Sequence, residues 1–317
     1  MKDRLDPGAA HVLALGRAAN QPPFEQGTVS EARAAYDAGC PTLQGDREPV
    51  TSIEDRTIAG TNCPIPLRIY RGVGAPNADA PALLYLHGGG WVVGTLESHD
   101  EICRWFANVG ACIVICPDYR LAPEHKFPAG LEDCVSALAY VVEQASALGI
   151  DPDRIAVAGD SAGGNLAAVL SLLARDGVAQ KISAQLLLYP NTDAGQTTDS
   201  FVRFSEGYGL TASTMRWFRD HYVRDAADIG DWRVSPLRVG NVVGLPPAFV
   251  AIAGQDILAD EGEAYTRRLA EAGVPVVLRR WQDQIHGFVS MGRHIPAARR
   301  AVEEAVAGWR SLVDHAD

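Results

Sequence analysis

From residue 81 onward the hydrophobic positions fall into short continuous runs. PALLYLH (81–87), ACIVICP (111–117), RIAVAG (154–159), AQLLLYP (184–190), PAFVAIAG (247–254) and PVVLRRW (275–281) read as strands buried on both faces. Stretches with helical spacing lie between them, within 98–109, 129–147, 162–174 and 260–272, and a last one falls within 296–313. Strands that are apolar on both sides and separated by helices predict an α/β fold, a mostly parallel central sheet covered by helices on both faces.

Ahead of these runs, Ser52–Ile58 and Pro64–Arg71 alternate apolar and polar residues around Ala59-Gly60-Thr61-Asn62, which predicts a hairpin. Residues 1–45 read as two short helices, one over SEARAAYDAG with Ser30 as its starting cap and Gly39 at its end. The alternation lapses between Asn191 and about Leu245, where Phe201, Phe204, Tyr208, Trp217, Phe218, Tyr222 and Trp232 stand among polar residues. This insertion follows the carboxyl end of a strand, where open α/β sheets form their ligand crevices, so it is expected to roof a pocket. A solvated excursion would carry fewer large aromatics. The expected organisation is therefore accessory helices over 1–45, a core made of 46–190 and 246–317, and an insertion over 191–245.

Composition narrows the partners. A chain of 317 residues with 47% hydrophobic content can bury the core of one large domain plus an accessory piece. A formal charge of −11 and a pI near 5.2 repel nucleic acid and anionic membrane surfaces, so neither is expected as a partner. The apolar patch near the N-terminus is interrupted by Gly16 and Arg17, and no secretion signal is visible. No uncharged apolar run reaches the roughly 18 to 20 residues needed to cross a bilayer. Cys40, Cys63, Cys103, Cys112, Cys116 and Cys134 contain no C-x-x-C pair, and several sit in apolar strands or helices. They read as reduced thiols, which implies a cytoplasmic setting with no metal site and no cofactor.

The chemistry concentrates where the run Ile155–Ala158 breaks into Gly159-Asp160-Ser161-Ala162-Gly163-Gly164. This reads as a nucleophile elbow: a strand ends, one residue turns sharply, and a helix begins near Ala162, so that Ser161 Oγ stands clear of the backbone. Glycines flank it because any side chain there would strike the neighbouring strand or helix. A serine hydroxyl needs a base, and the base needs an orienting group. Of eight histidines, His286 alone lies in a loop just after a strand and before the last helix. His11 and His315 fall in terminal helical segments, and His87, His99, His125, His221 and His294 read as structural. Asp256 follows PAFVAIAGQ, again just past a strand end, while Asp260 and Glu261 read as the acidic start of the next helix. The order Ser161, Asp256, His286 is that of nucleophile, acid and base in α/β-hydrolases.

Developing negative charge on an ester oxygen needs donors, and His87-Gly88-Gly89-Gly90-Trp91 follows the first buried strand. The bare N–H groups of Gly89 and Gly90, with that of Ala162, would supply them, and Gly88 is an alternative donor. Phosphate binding is disfavoured, because no Lys-Ser or Lys-Thr follows the glycines and the G-x-G-x-x-G spacing is missing. Asp160 reads as an electrostatic and capping group for the elbow helix. Trp91, Asp160, Tyr189, Tyr208 and Phe288 are the candidate pocket residues.

HGGGW (87–91), DYRLAPE (118–124), GDSAGG (159–164), the YP at 189–190, Asp256 with the following LADEG, and HGF (286–288) together resemble the hormone-sensitive-lipase-like carboxylesterases of bacteria, within the α/β-hydrolase fold. The similarity runs from about residue 30 to the C-terminus. One departure is Asp283-Gln284, which stand where relatives commonly carry small residues. The resemblance implies a serine esterase for small-molecule acyl esters of short to medium chain, with a helical cap made of the N-terminal helices and residues 191–245. It also implies that Asp118, Arg120 and Glu124 form a salt-bridged loop bracing the glycine run. Lactone opening or acyl transfer on the same apparatus, and a small-ligand receptor of the kind seen in plants, are the alternatives. His286, which such receptors lack, argues against the last. A homodimer is compatible with this reading and not required by it.

Overall fold

The structure is a computed structural model that describes residues 5–313, so His315 lies outside the described residues. The chain opens with α1 (Pro7–Ala19) and α2 (Val29–Leu43), then the hairpin β1 (Ser52–Ala59) and β2 (Pro64–Arg71) and the first buried strand, β3 (Ala80–Leu86). There follow α3 (Asp100–Gly110), β4 (Ile113–Pro117), α4 (Ala129–Glu143), the single turn α5 (Ala145–Leu148), β5 (Ile150–Asp160), α6 (Ala162–Arg175) and β6 (Gln185–Leu188). The excursion after β6 carries α7 (Asp199–Arg203) and α8 (Ala212–Tyr222). The chain closes with β7 (Ala248–Gln255), α9 (Ala259–Glu271), β8 (Val276–Ile285) and α10 (Ala297–Val313).

All eight strands join one sheet in the order β1-β2-β4-β3-β5-β6-β7-β8. The pairs β1–β2 and β2–β4 are antiparallel, and every pairing from β4 through β8 is parallel. The continuous apolar runs have the expected cause. On β3, Ala82, Leu84 and Leu86 pack with residues of α4, α6 and α9, whereas Leu83 and Tyr85 point the other way, into a cluster with residues of α3 and α10. The sheet therefore has two dry faces over β3 to β7, whereas β8, expected from PVVLRRW to be buried on both faces, is the edge strand and leaves Leu278 40% exposed. The parallel strands all present their carboxyl ends on one side.

The second helix before β1, α2, begins earlier and ends later than its composition suggests. Thr28, not Ser30, caps α2: its hydroxyl accepts the Glu31 N–H at 3.2 Å while the Glu31 carboxylate takes the Thr28 N–H at 2.8 Å. A carboxylate three residues on is what closes this box, and Ser30 has Arg33 in that place. Nothing stops the helix at Gly39, which runs on to Leu43. The loop at 118–124 is also braced differently from expectation. Arg120 pairs with Asp133 of α4 at 2.8 Å, and Glu124 with Arg33 of α2 at 2.7 Å. Asp118 has no ion-pair partner among the described residues, and burial raises its pKa. Arg33 also donates to the carbonyls of Val92 and Ala122, both at 2.9 Å, so it ties α2 to the glycine loop.

The segment after β6 is helical and closes on the start of the chain. The Phe24 ring lies 6.0 Å from Phe218 and 6.2 Å from Trp217, both on α8. Trp91 stacks flat on Tyr222 at 4.3 Å, joining α8 to the loop after β3.

β3, β5 and the start of α6 come together with no room for side chains. A Cβ on Gly163 would stand 1.9 Å from the Leu86 carbonyl oxygen, and one on Gly159 would stand 2.3 Å from the Gly163 backbone. Both contacts are with backbone, which has nowhere to move. Gly163→Ala is accordingly expected to destabilise the fold by about 3 kcal/mol or more, read as a lowered urea midpoint at unchanged m-value. A midpoint equal to wild type would show that α6 is not seated this closely.

Candidate active site

β5 ends at Asp160 and α6 starts at Ala162, which leaves Ser161 alone in the turn at φ 55° and ψ −116°. A residue with a side chain held there stores on the order of 1–3 kcal/mol. Three backbone hydrogen bonds over-determine it. The Ser161 N–H donates to Leu188 O at 2.9 Å, and its carbonyl accepts from Asn165 N at 3.0 Å and Asn191 N at 3.2 Å. The hydroxyl is thereby fixed at the carboxyl edge of the sheet, half-buried.

Two other strands end beside it. Asp256 follows β7 and His286 follows β8. His286 Nδ1 lies 2.6 Å from Asp256 Oδ2, and its Nε2 lies 2.9 Å from Ser161 Oγ. The ring thus bridges a buried carboxylate, 1% exposed, and the hydroxyl. The second carboxylate oxygen of Asp256 accepts the Leu258 N–H at 3.0 Å, which fixes its orientation. The competing acids point elsewhere. Asp260 accepts the Ser200 N–H at 2.7 Å, and Glu261 takes the amides of Thr192 and Asp193 at 2.6 and 3.1 Å.

The glycine loop after β3 turns back on itself, with Gly89 O accepting from Val92 N at 3.1 Å and Val93 N at 2.9 Å. This requires φ of 120° at Gly89 and 58° at Gly90, conformations that only glycine adopts freely. The N–H groups of Gly89, Gly90 and Ala162 have no partner among the described residues. Gly88 is different: its N–H donates to Asp160 Oδ1 at 2.9 Å, and this withdraws it from the candidate donors.

Asp160 does not cap the elbow helix or face a pocket. It is buried, and Oδ1 also accepts the Tyr85 hydroxyl at 2.8 Å and lies 3.2 Å from His99 Nε2. Burial works against its charge, but His99 and the Tyr85 hydroxyl outweigh that and hold the carboxyl below its usual range. His99 and Tyr85 are contributors that sequence reasoning passed over. His99 read as one more structural helical residue, and nothing in the spacing of 85, 99 and 160 relates them.

Of the other side chains expected to line a pocket, Trp91, Tyr189 and Phe288 are closed off, at 3%, 1% and 0% exposure. Trp91 is covered by Tyr222, and Phe288 packs between Tyr189 and Trp281 at 5.7 and 5.6 Å. The Tyr189 ring stands edge-on to the His286 imidazole at 5.0 Å and backs it. Tyr208 stays half-buried against Phe204 at 4.9 Å. The residue that does press on the glycine loop from above is Phe218, whose ring would lie 2.2 Å from a Cβ on Gly90. Among the described residues no three His, Cys, Asp or Glu side chains gather as metal ligands, and no helix is long and apolar enough to cross a membrane.

Comparison with known proteins places this arrangement. A family model described as alpha/beta hydrolase fold matches residues 83–290, which include the glycine loop, the elbow, Asp256 and His286. The chain belongs to the α/β-hydrolase family. This hydrolase is 42% identical over 289 residues to the carboxylic ester hydrolase LipN of Mycobacterium tuberculosis, covering 89% of this chain and 76% of that protein. It is 39% identical to the ethyl acetate hydrolase of Pseudomonas putida, over 93% of this chain and 95% of the other. Among solved structures, an ester-hydrolase from the metagenome of Lake Arreo superposes with a TM-score of 0.94 at 40% identity, covering 97% of this chain and 98% of that one. The relatives are of the carboxylesterase kind that the sequence motifs resemble.

His87 gives the loop's support a pH signature. Its Nδ1 lies 2.8 Å from Gly88 O, its Nε2 is buried with no partner, and its ring stacks on Tyr119 at 4.3 Å. Burial, reinforced by His99 alongside, pushes the imidazole down to about 3. Unfolded, it would take up a proton near 6.5. Between these values the unfolded chain binds the extra proton, so this contribution to stability is complete above pH 6.5 and is lost as pH falls toward 3. The loss reaches roughly 4–5 kcal/mol at the low end. Urea unfolding at pH 7.5, 6 and 5 should show wild type losing stability faster on acidification than His87→Asn. Parallel curves would mean that His87 is protonated in the folded protein.

Proposed function

We propose that the protein is a serine carboxylesterase that hydrolyses short- to medium-chain acyl esters through an acyl-enzyme, with Ser161 as nucleophile, His286 as base and Asp256 as its orienting acid. The observation that carries this reading is the position of His286, 2.6 Å from a buried carboxylate on one side and 2.9 Å from a strained serine hydroxyl on the other. As Ser161 Oγ attacks the ester carbon, its proton passes to His286 Nε2. The imidazolium is stabilised by Asp256 across Nδ1. Negative charge forming on the carbonyl oxygen is met by the free N–H groups of Gly89, Gly90 and Ala162, each donor worth roughly 3–4 kcal/mol in the transition state. His286 then returns the proton to the departing alcohol, and water, activated by the same ring, releases the acid.

The helices before β1 and the segment 191–245 form the cap in this reading. Phe218 lies over Gly90 and is backed by Phe24 and Trp217, which favours a closed apolar site of limited depth. Each methylene that finds room contributes about 0.8 kcal/mol. The name of the Pseudomonas relative, an ethyl acetate hydrolase, supports the short end of the range. All six cysteines stand unpaired, which supports a reducing, cytoplasmic setting. One chain supplies every group of the mechanism, so a homodimer would add stability or shape rather than chemistry.

The first test separates the acids. Ser161→Ala should abolish turnover of p-nitrophenyl butyrate while leaving the fold intact, and Asp256→Asn should lower it by roughly four orders of magnitude. Asp260→Asn should leave it near wild type, since Asp260 is occupied with the Ser200 amide. The reverse ranking of the two aspartates would overturn the assignment. The second test is kcat/KM along p-nitrophenyl esters from two to sixteen carbons, with emulsified triolein alongside. A maximum at about four to six carbons is expected from the per-methylene gain ending where the site ends. A maximum at twelve or more, or a jump on emulsification, would identify a lipase with an opening cap.

A further inference from the structure

On the opposite side of Ser161 from Asp256 and His286 lies a second aspartate–histidine pair that the hydrolytic mechanism leaves without a task. Asp160 immediately precedes the nucleophile, and its Oδ1 gathers the Tyr85 hydroxyl at 2.8 Å, the Gly88 N–H at 2.9 Å and His99 Nε2 at 3.2 Å. His99 is fully buried, and its Nδ1 lies 2.9 Å from Ser98 Oγ. No lysine or arginine bonds the Asp160 carboxylate among the described residues. A buried charge of this kind is retained only where its hydrogen bonds are satisfied.

The glycine loop needs such an anchor. Three consecutive glycines carry no side chain to hold them, and donors that wander are worth little to a transition state. The loop is fixed at two points. Gly89 O is held from one side by the amides of Val92 and Val93, and Gly88 N is held from the other by Asp160 Oδ1 at 2.9 Å, with His99 Nε2 a second, longer acceptor at 3.2 Å. Between these points stand the two free amides, Gly89 and Gly90. The fit at the anchor is close, since a Cβ on Gly88 would lie 2.3 Å from Asp160 Oδ2. We propose that Asp160, held by His99 and Tyr85, is a positioning residue that locks the Gly88 amide and so aims the Gly89 and Gly90 N–H groups at the substrate oxygen. Because Asp160 and Ser161 are consecutive, the donors and the nucleophile are fixed to the same strand end. The chain of bonds continues outward: Ser98 O accepts from Gln44 Nε2 at the end of α2, so the pair also couples the loop to the N-terminal helices.

This proposal rests on the esterase reading, and its test distinguishes the two. The probes are a p-nitrophenyl ester and its thionoester, in which sulfur replaces the carbonyl oxygen. Sulfur is a poor hydrogen-bond acceptor, so well-aimed donors favour the oxygen ester, and loosened donors erode that preference. Asp160→Ala should lower kcat on the oxygen ester by roughly 10²- to 10³-fold, the effect of losing one such donor. KM should move less than about threefold, and the thionoester rate should fall far less. Asp160→Asn, which keeps an acceptor for Gly88, should recover part of kcat. His99→Ala should lose about tenfold, and His99→Gln should regain part of it. Tyr85→Phe removes one hydroxyl and should show the same selective loss in milder form, which keeps the test alive if Asp160→Ala does not fold. Equal losses on both esters, or wild-type kcat in the His99 and Tyr85 variants, would overturn the positioning role. A wild-type protein that neither hydrolyses the oxygen ester nor is labelled by an organophosphate would overturn the esterase reading instead.

Discussion

The site depends on one close approach: the backbone of Gly163 at the start of α6 lies against the carbonyl of Leu86 at the end of β3, with Gly159 of β5 in the same gap. This contact lets a helix begin one residue after a strand ends. Ser161 then has no choice but the strained turn, and its neighbours Leu188, Asn165 and Asn191 hold it there. Strain that would relax in an isolated peptide persists because both ends of the turn are packed on backbone. The same approach brings the end of β3, and therefore the glycine loop that follows it, within a hydrogen bond of Asp160.

Electrostatics at this point are arranged on two sides of one hydroxyl. Asp256 and His286 face the Oγ, whereas Asp160, His99 and Tyr85 face the loop. Both carboxylates are almost fully buried, and each has a hydroxyl, amide or imidazole on its oxygens. That separation explains why two adjacent Asp–His pairs need not compete for a proton: no hydrogen bond in the structure joins them. His87 lies next to the second pair and is kept neutral by its surroundings, so it adds no charge behind the donors.

How much of this was legible in the sequence follows from the range of the forces involved. Five of the six apolar runs were legible as buried strands because a parallel sheet with two dry faces leaves continuous apolar runs, the sixth, β8, being a partly exposed edge strand. Ser161, Asp256 and His286 were legible because each stands just past a strand end. The partners of Asp160 were not. Tyr85 and His99 reach it only through the pairing of β3 with β5 and the docking of the segment after the glycine loop, neither of which has a local signature. Gly88 could be told from Gly89 and Gly90 only by seeing where its amide goes. The pocket residues were read from proximity in sequence to the motifs, and Trp91, Tyr189 and Phe288 proved to be the packing behind the site. A large aromatic beside a catalytic loop often serves to fix that loop, and burial decides which role it has. The α2 cap was misread because Ser30 is a good capping residue, whereas Thr28 has the glutamate three residues on that completes the box.

The helical segments over the site are tied to it by contacts that also set its geometry. Arg33 of α2 donates to Val92 O, two residues beyond the free Gly90 amide, and Gln44 at the end of α2 donates to the carbonyl of Ser98, the residue before His99. From the other segment, Phe218 lies on Gly90 and Tyr222 on Trp91. A change in the covering helices therefore acts on the glycine loop and, on the proposed reading, also on the space for the acyl chain. In a hydrolase whose covering helices were loosely hinged, substrate size and transition-state stabilisation would vary independently. Here Phe218 rests on Gly90, so on the proposed esterase reading selection for acyl length and selection for rate fall on the same few contacts.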